Sequence, residues 1–113
     1  MTDPIFVITA PTSAFLGSWR WDRPVTLSPG TYLRYWKAGG YGDACSAIYM
    51  DWDELVPLDG EWAGEVVSVL DAGTPLGPNG EGHHWGPRPR LGLPASVSPV
   101  EPLPPEWRWR VVP

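Results

Sequence analysis

Two-residue alternation runs through the first half of the chain. Ile5 to Ala10 is apolar and β-branched, as a buried strand requires. Pro11-Thr12-Ser13 predicts a turn. From Phe15 to Asp22, the residues Phe15, Gly17, Trp19 and Trp21 fall on one side and Leu16, Ser18, Arg20 and Asp22 on the other. Pro24 stops that strand or marks a sheet edge. Val25 to Leu27 is a short strand, and Ser28-Pro29-Gly30 is a turn with Pro and Gly in favourable order. Thr31 to Lys37 alternates again, Tyr32, Arg34 and Trp36 against Leu33, Tyr35 and Lys37. The two segments joined by Pro29-Gly30 are expected to pair as a β-hairpin.

Further along, Gly39-Gly40-Tyr41-Gly42 predicts a flexible loop. Two periods then compete. Ala44, Ile48, Trp52 and Leu55 recur at helical spacing behind Asp43, whereas Ile48, Met50 and Trp52 share one face of a strand. The aromatic and β-branched content favours a strand from Ser46 to Trp52. A turn follows at Pro57-Leu58-Asp59-Gly60. Glu61 to Leu70 is a further strand, strongest from Glu65 on, and Asp71-Ala72-Gly73 ends it.

No period continues beyond Thr74. Nine prolines among the 33 residues from Thr74 to Glu106 exclude a long helix and most ladder pairing. The chain closes on Glu106-Trp107-Arg108-Trp109-Arg110-Val111-Val112, an echo of Ser18-Trp19-Arg20-Trp21-Asp22, and the two Trp-Arg-Trp segments are natural pairing partners. The expected fold is all-β or β-dominated, a small sandwich or a partly open barrel. Residues 1–73 form its globular part, 74–106 an extended proline- and glycine-rich arm, and 107–113 a terminal strand. The arm is expected to add little to the core and to be pinned by neighbouring subunits, so removing 74–113 should leave the domain folded.

Composition narrows this further. With 113 residues the chain has room for one modest core. Fifteen prolines and thirteen glycines approach the level of low-complexity chains, but eight tryptophans oppose disorder. Cys45 stands alone, so no internal disulfide forms. The N-terminus has no basic run ahead of Ile5-Phe6-Val7-Ile8, and no apolar stretch reaches membrane-spanning length. The expected location is a virion or the host cytoplasm, without export through a signal peptide.

The net charge of −5 is unevenly spread. Residues 1–42 hold two acids and four bases, 43–71 eight acids and no base, and 72–113 three acids and four bases. The middle segment is either a solvated acidic face or a surface that meets a basic one. No basic stripe of the kind that holds nucleic acid is present. The expected partners are other protein subunits, with no nucleic acid and no membrane.

Candidate chemistry is thin. His83-His84 on an extended chain would point to opposite sides, and tetrahedral zinc needs three or four ligands. Asp51, Asp53 and Glu54 lack the glycine and ligand spacing of a calcium loop. They also lack the separate elements from which a glycosidase brings its two carboxylates. The glycine run at 39–42 has no Lys-Ser/Thr ending to cradle a phosphate. Cys45 has no neighbour in sequence that would activate it. No metal, cofactor or enzymatic activity is therefore expected.

Binding is the remaining role. Trp107, Arg108, Trp109, Arg110 and Trp85 are candidate partner contacts as aromatic and arginine anchors. Asp51, Asp53 and Glu54 join them as the centre of the acidic segment. The default role of Trp19, Trp21, Trp107 and Trp109 is nevertheless to seal a core, since four large rings can close a small sandwich. The expected function is a structural or interaction subunit of a larger assembly. An accessory bacteriophage virion protein fits best: a capsid decoration, head-completion or tail component. The alternatives are an acidic protein inhibitor of the anti-defence or immunity type and a tryptophan-based carbohydrate-binding module.

Overall fold

A computed structural model describes residues 3–17, 23–43, 48–70 and 93–103. The described residues form seven strands and no helix: β1 (Ile5–Ile8), β2 (Thr12–Leu16), β3 (Pro24–Leu27), β4 (Tyr32–Asp43), β5 (Ile48–Pro57), β6 (Val67–Leu70) and β7 (Val97–Pro99). All pairings are antiparallel, in one sheet of order β3-β2-β6-β5-β4-β1-β7.

Two short connections force this sheet to coil. β1 and β2 are joined by residues 9–11 yet stand four places apart, and β3 and β4 are joined by residues 28–31 across another four places. Four flat strand spacings measure about 19 Å. The four Cα steps from Ile8 to Thr12 reach at most about 14 Å. The sheet therefore curls until its two ends face each other, in the manner of a small open sandwich. The Thr12 hydroxyl bonds both the Ala10 carbonyl (2.8 Å) and the Ser96 hydroxyl (2.6 Å), joining β2 to the segment that leads into β7.

Alternation decides which residues fill the inside. Phe6 and Ile8 of β1, Ala14 of β2, Leu27 of β3, Leu33 and Tyr35 of β4, Leu55 of β5, Val67 and Val69 of β6, and Val97 with Leu93 before it form one buried cluster. Their registers agree: Leu16↔Val67↔Leu55↔Tyr35 makes one cross-strand row, and Pro57↔Leu33↔Phe6↔Pro99 another. At β5 the opposite face is covered too, since Trp52, Asp53, Glu54 and Leu55 are all buried in succession.

The all-β expectation holds, and the strand reading of 46–52 is realised from Ile48 on as β5, which runs to Pro57; residues 46 and 47 lie outside the described residues. Several local expectations do not hold. Pro29-Gly30 is a turn, with Gly30 at φ 90°, but β3 and β4 do not pair. β3 is engaged with β2, and the turn docks on β1: Gly30 N–H donates to Ile8 O (2.8 Å) and Ile8 N–H to Thr31 O (2.9 Å). The turn at Pro11-Thr12-Ser13 lies one step earlier, because Thr12 already belongs to β2. β2 ends at Leu16, before Gly17 at φ 102°, and residues 18–22 of the strand expected over Phe15 to Asp22 lie outside the described residues. Pro24 opens β3, an edge strand, where its missing N–H costs no ladder bond.

Gly39 to Gly42 is not a loop. It belongs to β4 and pairs with 49–52. Glycine in a strand is tolerated where another group needs the space, and Gly39 is such a place: a Cβ built on it would collide with the Trp52 indole. The strand expected over 61–70 is confined to Val67–Leu70, because Gly60 and Gly64, both at positive φ, hold 58–64 in turns.

The segment 93–103 is pinned on the chain's own body. β7 pairs with β1, and Leu93 and Val97 are fully buried. It therefore contributes to the core, contrary to the expected tether. The Trp-Arg-Trp pairing of 19–21 with 107–109 lies outside the described residues.

Candidate functional site

Of the anticipated contact residues, Trp85, Trp107, Arg108, Trp109 and Arg110 lie outside the described residues, as do His83, His84 and Cys45. Asp51 is placed by its backbone in β5, opposite Gly40. Asp53 and Glu54 are not on an acidic face. They are 0% and 2% exposed, on the central strand of the sheet.

Their neighbours explain how charge-bearing side chains sit inside. Being consecutive in a strand, they point to opposite faces. Tyr35 Oη–H donates to Asp53 Oδ1 at 2.8 Å on the core side. Trp52 Nε1–H donates to Glu54 Oε2 at 2.9 Å on the other. A buried polar group is tolerated when hydrogen-bonded, and both carboxylates are. Opposed faces also prevent the two from acting on one substrate as an acid–base pair.

β4 carries one extra residue at Trp36: Tyr35 opposes Leu55, and Lys37 opposes Glu54. This bulge shifts the alternation by one. Tyr35 stays in the core, and Lys37, which strict alternation would have sent inward, is exposed. The Lys37 ammonium lies 4.6 Å from the centre of the Trp36 ring.

The outward face of β7-β1-β4-β5 holds what the sequence reading missed. Tyr32, Trp36, Leu58 and Val100 are 43%, 43%, 51% and 47% exposed, the large apolar side chains left in solvent among the described residues. All four belong to this face. Tyr32 and Trp36 follow the outward alternation of β4. Leu58 lies opposite Tyr32, its N–H donating to Tyr32 O (2.8 Å). Val100 lies opposite Ile5, with its N–H on Ile5 O (2.9 Å). Between them stand Ile5, Val7 and Val56, each partly exposed. Arg34 crosses the middle of the face and pairs with Asp3 at 3.1 Å. The outward alternation Tyr32, Arg34, Trp36 was legible in the sequence; the strands that flank it were not.

A small cleft opens elsewhere, between the 26–31 corner and the 57–62 turn. It encloses about 90 Å³ and is lined by Thr26, Ser28, Thr31, Asp59, Glu61 and Trp62 among others. Ligand sites usually measure roughly 300–1,000 Å³, so this one is short of a substrate pocket. Among the described residues no three of His, Cys, Asp and Glu gather as a metal site, and no helix is long and apolar enough to cross a membrane. No protein-family model, no curated protein and no solved structure matches the chain.

Proposed function

We propose that this chain is an interaction subunit of a larger protein assembly, and that the outward face of β7-β1-β4-β5 is its contact surface. The observation that carries this is the gathering of Tyr32, Trp36, Leu58 and Val100 on one side of the sheet. Scattered apolar residues are ordinary on a surface, but a continuous set around an arginine has the composition of a binding hot spot. β3 and β7 also leave open sheet edges among the described residues, to which a further strand could add. An accessory virion protein of a bacteriophage remains the kind of assembly such a small β-rich subunit suits, by analogy of architecture.

The inhibitor reading loses support. An inhibitor working through the acidic segment would present Asp53 and Glu54, which are inside. The tryptophans that a sugar-binding reading rests on, Trp19, Trp21, Trp107 and Trp109, lie outside the described residues.

Photocrosslinking tests the surface. Tyr32→p-benzoylphenylalanine is expressed in the native cell, with the same replacement at exposed Thr26 on β3 as control. A discrete protein adduct from position 32 and none from position 26 is expected. Equal adducts from both, or none from either, would overturn the proposal.

A further inference from the structure

We infer that the β7 segment is exchangeable between copies of this chain: residues 93–103 of one copy seat on β1 of another, so that the partner copy completes the core. The inference uses the edge of β1 and is independent of the outward face proposed above as a contact surface.

Connection length is the first ground. Among the described strands three connections cross the sheet, and each spans four places: β1 to β2, β3 to β4 and β6 to β7. The first two, residues 9–11 and 28–31, reach at most about 14 and 18 Å, so they hold their strands within one body. The third places residues 71–92 between Leu70 and Leu93. Fully extended, that length of chain reaches roughly 80 Å, against about 19 Å for four flat strand spacings. The surplus is enough to reach the β1 edge of a neighbouring copy.

The seat is the second ground. Leu93 and Val97 are fully buried in the core, so every folded copy needs this position filled. Main-chain bonds hold the segment: Thr9 N–H donates to Ser96 O (2.8 Å) and Val100 N–H to Ile5 O (2.9 Å). The Thr12 and Ser96 hydroxyls bond each other (2.6 Å). A second copy supplies the same donors and acceptors at the same positions. Exchange therefore keeps the contacts of 93–103 with the sheet and changes only which chain provides them, which makes swapping a low-cost route to dimers. β7 is three residues long, ends the sheet order and pairs with β1 alone among the described residues, so it leaves without breaking another ladder.

Concentration decides between the two seatings. A segment tethered to its own body competes with a neighbour's at an effective concentration on the order of a millimolar, falling as the tether lengthens. A dilute chain therefore seats its own segment, and copies packed side by side in an assembly exchange theirs.

Disulfide trapping reads the exchange directly, because Val7 and Ser98 are opposed across β1 and β7 and both are partly exposed. Opposed antiparallel residues have Cα atoms about 4.5–5.5 Å apart, within the span of a disulfide. Full-length Cys45→Ser chains carry either Val7→Cys or Ser98→Cys. They are mixed in urea, returned to native buffer at about 10 µM or about 1 mM, and oxidised in a glutathione buffer. Position 7 of one chain meets position 98 of another only where β7 has exchanged. The expected result is a disulfide-linked heterodimer whose yield rises at least about tenfold between the two concentrations. It should exceed by as much the yield from Val7→Cys mixed with Thr26→Cys, an exposed β3 position that exchange does not bring near. The double variant Val7→Cys/Ser98→Cys, oxidised when dilute, should close within its own chain and stay monomeric when concentrated. A heterodimer yield no higher than that of the mismatched pair would overturn the exchange. A double variant that does not close would remove the β1–β7 register and the inference with it. Neither result bears on the crosslink from position 32, which tests the outward face.

Discussion

The indole of Trp52 lies over the backbone of Gly39, its cross-strand neighbour, in the space a side chain on Gly39 would take. The same indole gives its N–H to Glu54. One glycine in β4 thus positions the ring that partners a buried carboxylate in β5.

Gly39→Ala should therefore destabilise the protein although alanine favours a strand no less than glycine does. The added methyl must displace a buried ring, and overpacking of that kind costs about 1–3 kcal/mol. Urea unfolding followed by circular dichroism reads the change. A loss below about 0.5 kcal/mol, the scatter of ordinary surface changes, would contradict the close approach.

Tyr35→Phe removes the hydroxyl that serves Asp53 while keeping the ring near Phe6, whose centroid is 6.4 Å away. A buried acceptor that loses a donor costs about 1–3 kcal/mol. Asp53→Ala in the Tyr35→Phe background should cost less than in the wild type, because the shared bond is already gone. Strict additivity in this double-mutant cycle would mean that the two side chains do not depend on each other.

Leu93→Ala should cost about 2–5 kcal/mol, the range for emptying a core leucine site. Val97→Ala, with less side chain removed, should also destabilise by more than any surface change. Truncation after residue 92 should leave no cooperative unfolding transition, since it removes two fully buried side chains and the strand that covers β1. A truncated chain with an unchanged midpoint would place 93–103 outside the fold.

Arg34→Ala, measured at low micromolar concentration, should change stability by less than about 1 kcal/mol. Its ion pair with Asp3 is 40% and 47% exposed, so solvent screens it. Added salt should shrink even that difference. A loss of several kcal/mol would show Arg34 to be structural and not a surface residue.

Several features were legible in order of appearance. The alternation of Ile5–Ile8 and of Tyr32–Tyr35 names the inward residues because a strand buried on one face imposes period two. Pro29-Gly30 and Gly60 mark turns because glycine readily takes the positive φ those turns need, whereas Gly64 was read as part of a strand. Asp53 and Glu54 were misread because charge in sequence suggests solvent. The aromatic donors Tyr35 and Trp52 that admit them to the interior come from registers a single strand does not reveal. Gly39–Gly42 was misread for a related reason: its lack of side chains signals freedom until the tryptophan that fills the space is known.

Local pattern alone determined that the described part of this protein is built of strands, because two-residue periodicity and turn chemistry are properties of neighbouring residues. Only the tertiary structure decided which strands meet. Connections of three and four residues between strands four places apart coil the sheet, and that coiling sets β7 on β1, seals Leu93 and Val97 inside, and leaves Tyr32, Trp36, Leu58 and Val100 together outside. Pairing across long sequence separations depends on the summed burial of the whole sheet, which no stretch of the chain carries by itself.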